Sequence, residues 1–152
     1  MTNSKRRTEG ASASGDAYRL EEQIGFLLRK AHQRASAIFQ TTIGDPTVTP
    51  TQYSALVKLR DEGELSHNHL GRLISVDPAT IQGVVRRLGG RRLIARKPDS
   101  KDRRRTRLAL TPAGRALVEA LRANGPEVSR RTLEPLSGGE RATLLALLAR
   151  LG

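Results

Sequence analysis

Apolar side chains recur every three or four positions along the N-terminal part of the chain, the spacing of one face of an α-helix. The members of this stripe are Leu20, Ile24, Leu27, Leu28, Ala31, Ala35 and Ile38. The stripe predicts a long helix from about Asp16 to Thr42, ended by Gly44 and Pro46 because both residue types interrupt helices. Residues 1–15 lack this period and are rich in small polar side chains, so we expect a disordered arm there.

Five further helices are predicted from their N-terminal caps, where a side-chain oxygen accepts a hydrogen bond from the first turn. The caps are Thr49, Ser66, Asp77, Thr111 and Ser137. Three of them precede a proline, which is favoured at the first helical position. Asn124-Gly125-Pro126 interrupts the helix that follows Thr111, and the last helix opens at Ser137 with the capping-box partner Glu140.

Two short segments between the fourth and fifth helices have the composition of β-strands, residues 93–97 and 106–110. A polar, charged loop of residues 98–105 joins them, so the pattern predicts a β-hairpin. The predicted fold class is therefore mainly α with a small β-hairpin wing. Two short helices joined by a tight turn and followed by a hairpin form a winged helix-turn-helix, whose second helix fits the major groove of DNA.

Charge strengthens this interpretation. The 152-residue chain has a formal net charge of +12, which favours a polyanionic partner such as nucleic acid. Eleven Lys or Arg stand against two Asp between Arg86 and Arg107, and Lys5-Arg6-Arg7 adds a basic cluster to the arm. Most of the net charge therefore lies on the wing and on the second helix of the predicted helix-turn-helix, the one that follows Asp77.

The apolar stripe of the helix after Asp77 defines its exposed face. With Ile81, Val84, Val85 and Leu88 facing the core, the outward residues are Ala79, Thr80, Gln82, Gly83, Arg86 and Arg87. Gln can pair with adenine, Arg with guanine, and Ala or a Thr methyl can contact the thymine methyl. The alternative is an ordinary solvated helix face, but the flanking charge favours insertion into the major groove.

The tip of the predicted wing is also basic, and it carries Lys101, Asp102, Arg103, Arg104 and Arg105. An arginine at such a tip can enter the negative minor groove, and we expect Asp102 to hold Arg104 in place. Ser66 and His67 are expected at the phosphate backbone, while Arg96, Lys97 and Arg107 are expected only to raise affinity. A solvated charged loop is the alternative.

The segment from Asp102 to Gly114 resembles the wing motif of the MarR family of bacterial transcription regulators, D-x-R followed by a strand and L-T-x-x-G. The resemblance covers about Thr49 to Gly114, and on it Asp102 and Arg104 take the family's wing roles. One position departs from the family, which usually has Gly where this chain has Arg92. We therefore expect the helix after Asp77 to end earlier than in the family or with another cap, which puts base contacts by Arg91 in doubt.

The resemblance implies a homodimer formed through the N- and C-terminal helices, on a palindromic DNA site. The leucine-rich last helix (Leu144, Leu147, Leu148, Leu151) and the long first stripe support a dimer independently, although both could also close a monomeric core. We predict a basic arm over 1–15, an N-terminal dimerisation helix within 16–48, a DNA-binding lobe over 49–111 and C-terminal dimerisation helices over 112–152.

Regulators of this family often release DNA when a small aromatic acid binds between the dimerisation helices and the DNA-binding lobe. The resemblance implies such an effector pocket here. Its candidate lining residues are Arg19, Gln23, Phe26, His32, Phe39 and Tyr53, since an apolar slot with a few polar or cationic groups suits a flat carboxylate. Each of these could equally be an ordinary core or surface residue.

The sequence also narrows the other classes of function. Without Cys, disulfides, thiolate metal sites and thiol-based sensing are excluded, and His67 and His69 are poorly spaced for one metal ion. No cofactor, nucleophile–base pair or phosphate loop is recognisable, so an enzyme is not predicted. No apolar run could cross a membrane, and a cytoplasmic protein is expected. The remaining alternative is a sequence-tolerant architectural nucleic-acid-binding protein, although scarce aromatic residues argue against single strands.

Overall fold

A computed structural model describes residues 18–152, and the predicted arm over 1–15 lies outside the described residues. Seven α-helices and one two-stranded antiparallel hairpin form the described part of the chain. The elements are α1 (Ile24–Thr42), α2 (Pro50–Glu62), α3 (His67–Leu73), α4 (Pro78–Gly90), β1 (Ile94–Pro98), β2 (Thr106–Leu110), α5 (Pro112–Arg122), α6 (Gly125–Thr132) and α7 (Gly138–Ala149). The mainly α fold with a hairpin wing is confirmed.

The predicted caps begin the helices that were expected from them. Thr49 and Ser137 form complete capping boxes with Gln52 and Glu140, and Asp77 and Thr111 accept hydrogen bonds from the third residue of their helices. These contacts satisfy backbone N–H groups that the first turn of a helix leaves without a partner.

Two helix predictions need correction. The first helix begins at Ile24 rather than Asp16, because Gln23 is extended (ψ 134°) and follows a separate 3-10 turn over Leu20–Glu22. The prediction also missed α6, since it treated Gly125-Pro126 only as an interruption. Pro126 lies in the first turn of α6, where no N–H is needed for an intrahelical bond, so the proline starts a new helix.

The core of the DNA-binding lobe joins α2, α3, α4, the hairpin and α5. Leu56, Leu70, Leu88, Leu108 and Val118 are completely buried within it. A backbone bridge between Leu65 and Leu108, with N···O distances of 3.0 and 2.7 Å, attaches the segment before α3 to β2. The hairpin is thereby fixed against the helix-turn-helix.

A smaller cluster connects this lobe to α1. Phe39, Ile43, Val48 and Leu121 are buried together, and Tyr53 packs against them. Within one protomer, however, α7 buries none of its residues, and Leu147, Leu148 and Leu151 are exposed. Leu27 and Leu28 of α1 are exposed as well, so both termini present apolar surface that this protomer does not cover.

Candidate nucleic-acid interface

The exposed face of α4 is as the sequence predicted. Its buried side chains are Ile81, Val84, Val85 and Leu88. The residues that face outward are Ala79, Thr80, Gln82, Arg86 and Arg87, with Gly83 half-buried among them. The Asp77 side chain accepts hydrogen bonds from the Thr80 hydroxyl and from the Thr80 N–H at 2.9 Å, and these bonds lower the pKa of Asp77. The Thr80 hydroxyl is therefore occupied by Asp77, whereas the side chains of Gln82 and Arg86 form no hydrogen bond within residues 18–152.

One concavity lies beside this face, and a second adjoins it at His67. The larger, of about 530 Å³, is lined by His67, Ala79, Gln82, Gly83, Arg86 and Arg96. The second, of about 400 Å³, is lined by Ser66, His67, Asn68, Arg105 and Thr106. His67 borders both, so the start of α3 connects the second helix to the base of the wing. Burial and the nearby positive charge of Arg96 lower the pKa of His67.

The carboxylate that organises the wing is Asp99, a role that was not predicted from the sequence. Its side chain is buried and accepts hydrogen bonds from the backbone N–H groups of Lys101 (2.8 Å) and Asp102 (3.2 Å). The Arg107 guanidinium donates a further bond of 2.5 Å to it from β2. That bond and the backbone donors lower the pKa of Asp99 to about 2. The bond to Lys101 spans two residues, as in an Asx-turn, which was the available sequence signal.

Asp102 does contact Arg104, but through the Arg104 backbone rather than its guanidinium. Asp102 accepts the backbone N–H of Arg104 at 3.0 Å, and its side-chain ion pair is with Arg105 at 3.4 Å. The tight turn directs the N–H two residues on toward Asp102, and the side chain three residues on reaches it to form the ion pair. Lys101, Arg103 and the Arg104 guanidinium are exposed at the tip of the wing.

The three cations expected only to raise affinity have different environments. Lys97 pairs with Glu64 at 3.1 Å, and Arg107 pairs with Asp99. Lys97 therefore attaches β1 to the segment before α3, whereas Arg107 braces the hairpin internally and also donates to the Glu64 carbonyl at 3.4 Å. Arg96, in contrast, lines the larger concavity with Gln82 and Arg86.

The end of α4 shows how the chain replaces the family's usual glycine. Arg92 has a φ of +57°, the left-handed conformation that glycine adopts without strain. Its N–H donates to the Gly89 carbonyl at 2.9 Å, and the Leu93 N–H donates to the Leu88 carbonyl at 3.0 Å. This is a Schellman motif, so the helix runs to Gly90 and does not end early.

Arg91, at the same end of α4, pairs with Asp45 in the loop after α1 at 3.0 Å. Its charge is therefore directed toward the first helix of the fold and away from the exposed face of α4. This ion pair agrees with the expectation from the sequence that base contacts by Arg91 are in doubt.

The L-T-x-x-G segment closes the wing onto α5. The Thr111 hydroxyl donates to the Arg92 carbonyl at 2.7 Å and accepts the Gly114 N–H at 3.0 Å. A Cβ at Gly114 would lie 1.9 Å from the Leu93 carbonyl oxygen. Only glycine allows α5 to pack this closely against the segment that leads into β1.

The structure brings together two of the six candidate effector residues. Phe39 and Tyr53 pack edge to face with ring centroids 5.5 Å apart, and burial raises the pKa of Tyr53. The other four lie on the 3-10 turn and the exposed part of α1. Arg19 pairs with Glu22, Gln23 donates to the Arg19 carbonyl, Phe26 lies beneath Arg29 and Lys30, and His32 contacts Ser36.

Comparisons with known proteins agree with this arrangement. A sequence profile described as MarR family matches residues 48–106. The HTH-type transcriptional repressor NicR of Pseudomonas putida is 40% identical over 148 residues, which cover 96% of this chain and 94% of NicR. The chain belongs to the MarR family.

Solved structures of MarR-family proteins share the fold. One, described as a probable transcriptional regulator of Pseudomonas aeruginosa, is 51% identical, with a TM-score of 0.82 over 88% of this chain and all of that one. BpsR of Bordetella bronchiseptica, whose DNA binding is regulated by 6-hydroxynicotinic acid, is 40% identical, with a TM-score of 0.82 over 88% of this chain and 96% of BpsR.

Membership of the MarR family makes the protein a transcription regulator with a winged helix-turn-helix, and homodimers are typical of the family. The exposed leucines of α1 and α7 lie on the elements expected to form the dimer. Within residues 18–152, no helix has the length and apolarity needed to span a membrane.

Proposed function

We propose that the protein is a repressor that binds a palindromic operator as a homodimer and releases it when a small aromatic acid binds. The observation that carries the DNA-binding part is the exposed face of α4, where Gln82 and Arg86 border the same concavity as Arg96. A glutamine and an arginine on a helix sized for the major groove can each make a bidentate contact with a base edge.

We assign base reading to Ala79, Thr80, Gln82, Gly83, Arg86 and Arg87, and backbone or minor-groove contact to Ser66, His67, Lys101, Arg103, Arg104 and Arg105. Asp102 shapes the tip of the wing through its bonds to Arg104 and Arg105. In a two-fold symmetric dimer the two α4 helices would meet successive major grooves, so the operator would be palindromic.

The relatives support repression and an aromatic effector. NicR is named as a transcriptional repressor, and 6-hydroxynicotinic acid regulates DNA binding by BpsR. We place the acid near the Phe39–Tyr53 pair, at the junction of α1 with the DNA-binding lobe, with Arg19, Gln23, Phe26 and His32 as further candidates contributed by α1 and the turn before it. The ligand would act by binding the DNA-incompetent dimer more tightly than the competent one.

The decisive experiment selects bound sequences from random duplex DNA and repeats the selection with aromatic acids, beginning with 6-hydroxynicotinic acid. A palindromic consensus that one compound abolishes is the expected result. If no consensus emerges, the regulator is sequence-tolerant and the proposed operator is refuted. A consensus that no acid affects would leave repression without this class of effector.

Two variants separate base reading from backbone binding. Gln82→Ala is expected to weaken binding to consensus DNA by about 1–3 kcal/mol while hardly affecting binding to random DNA. Arg104→Ala is expected to weaken both and to lower the salt dependence of binding. Equal losses on consensus and random DNA for Gln82→Ala would favour an architectural DNA-binding protein.

A further inference from the structure

Resting on the proposed DNA binding, we infer that His67 and Arg96 contact the same backbone phosphate of the operator, and that each His67 takes up a proton when DNA binds. The inference adds Arg96 to the binding residues and makes operator affinity depend on pH.

The position of His67 carries the argument. It is the first residue of α3, it is half-buried, and it borders two concavities, one beside the exposed face of α4 and one at the base of the wing. Arg96 enters the larger concavity from β1 and Arg86 enters it from α4. Because His67 and Arg96 line the same concavity as Gln82 and Arg86, we expect the DNA backbone that flanks the groove to pass them when Gln82 and Arg86 reach base edges.

The charged groups around His67 are almost all cationic. Arg86 of α4 and Arg96 of β1 line the larger concavity, and Arg105 of the wing loop lines the smaller one. The carboxylates on the neighbouring segments are occupied, since Glu64 pairs with Lys97, Asp99 with Arg107 and Asp102 with Arg105. Among the residues that the structure describes, α2 places no charged side chain in either concavity, and α3 itself adds only His69 and Arg72.

This environment disfavours the protonated imidazole in the free protein, because partial burial and Arg96 both lower the pKa of His67. A phosphate in the same concavity reverses that effect: it offsets the positive charge of Arg96 and accepts a charge-assisted hydrogen bond from the protonated ring. By linkage, a group that binds its proton more tightly in the complex makes the complex tighter at low pH.

The expected size of the pH effect depends on the difference between the pKa of His67 in the free protein and its pKa in the DNA complex. Each unit by which DNA raises the pKa of one His67 is worth about a tenfold gain in affinity at low pH. A dimer carries two copies of His67, so uptake of up to two protons per operator is expected. Asp99 of the wing does not titrate in the same range, because its pKa is about 2.

The test measures the affinity of the full-length protein for its selected operator from pH 6 to pH 8 at constant ionic strength. Wild type is expected to lose about tenfold or more across this range, and His67→Gln is expected to bind more weakly at pH 6 with little pH dependence. His69→Gln is the matched control, since His69 is exposed on the same helix and lines neither concavity. NMR titration of the His67 ring, with and without operator, reports the proton directly.

Arg96→Gln supplies an independent measurement. Without the nearby guanidinium, the pKa of His67 in the free protein is expected to rise, and the salt dependence of binding should fall by about one phosphate contact per protomer. If His67→Gln keeps the pH dependence of wild type, or if DNA leaves the His67 titration unchanged, the inference is wrong while operator binding stands. Failure to bind duplex DNA at any pH refutes the proposed function and this inference together.

Discussion

Replacing Gly114 with alanine tests the close packing at the base of the wing. The new Cβ would lie 1.9 Å from the Leu93 carbonyl oxygen, whereas ordinary contact begins near 3.4 Å, so one of the two segments must move by about 1.5 Å. The Leu93 carbonyl also accepts the Thr111 N–H at 3.1 Å, and the Leu93 side chain is buried. A shift therefore loses a hydrogen bond and disturbs the lobe core.

The expected cost of Gly114→Ala is about 3 kcal/mol in the free energy of unfolding, the upper part of the usual range for overpacking a core. For a chain of this length that is a fall of about 6–12 °C in the melting temperature. Urea and thermal unfolding followed by circular dichroism at one fixed protein concentration measure it, since the melting temperature of a dimer depends on concentration.

Gly89→Ala is the control for this prediction. Gly89 is helical and a Cβ there meets nothing within 4 Å, so alanine is expected to stabilise the protein by about 0.5–1 kcal/mol. If Gly114→Ala unfolds at the same urea concentration as wild type, the argument from the Leu93 carbonyl is refuted.

Three further outcomes are expected. Arg92→Gly removes the strain of a left-handed arginine and should raise the free energy of unfolding by about 1 kcal/mol, and a loss in urea unfolding would contradict the cap described for α4. Asp99→Ala should weaken binding to specific and random DNA alike with unchanged helical content. Because the pKa of Asp99 is lowered, its ion pair with Arg107 persists from neutral pH to about pH 4 and is lost only as the pH falls toward 2. Binding curves of the wild-type protein against pH check this window. Leu148→Glu should shift the protein toward monomer in sedimentation experiments, whereas an unchanged dimer would exclude that face of α7 from the interface.

Local chemistry explains which parts of the fold could be predicted. Thr49, Asp77, Thr111 and Ser137 begin their helices because each cap bonds within its own first turn, so the signal lies within four residues of sequence. The exposed face of α4 could be predicted for a similar reason, since the period of its apolar residues alone fixes which side is buried.

Several contacts could not be predicted because they join distant segments of the chain. The role of Asp99 depends on Arg107, which is a neighbour only after the hairpin has formed. Arg91 is drawn toward Asp45, 46 positions earlier in the chain. The helix α6 packs against α1, and Arg34 of α1 donates to the carbonyls of Arg131 and Thr132 at its end, contacts that no local pattern reveals.

The exposed leucines of α7 make operator binding by this protein depend on its concentration. If Leu147, Leu148 and Leu151 are covered only when two protomers meet, dilution exposes them and lowers the concentration of dimers, which carry two DNA-binding lobes. Below the dissociation constant of the dimer, operator occupancy would then rise with the square of the protomer concentration. A modest change in expression would produce a steeper change in transcription, without any effector.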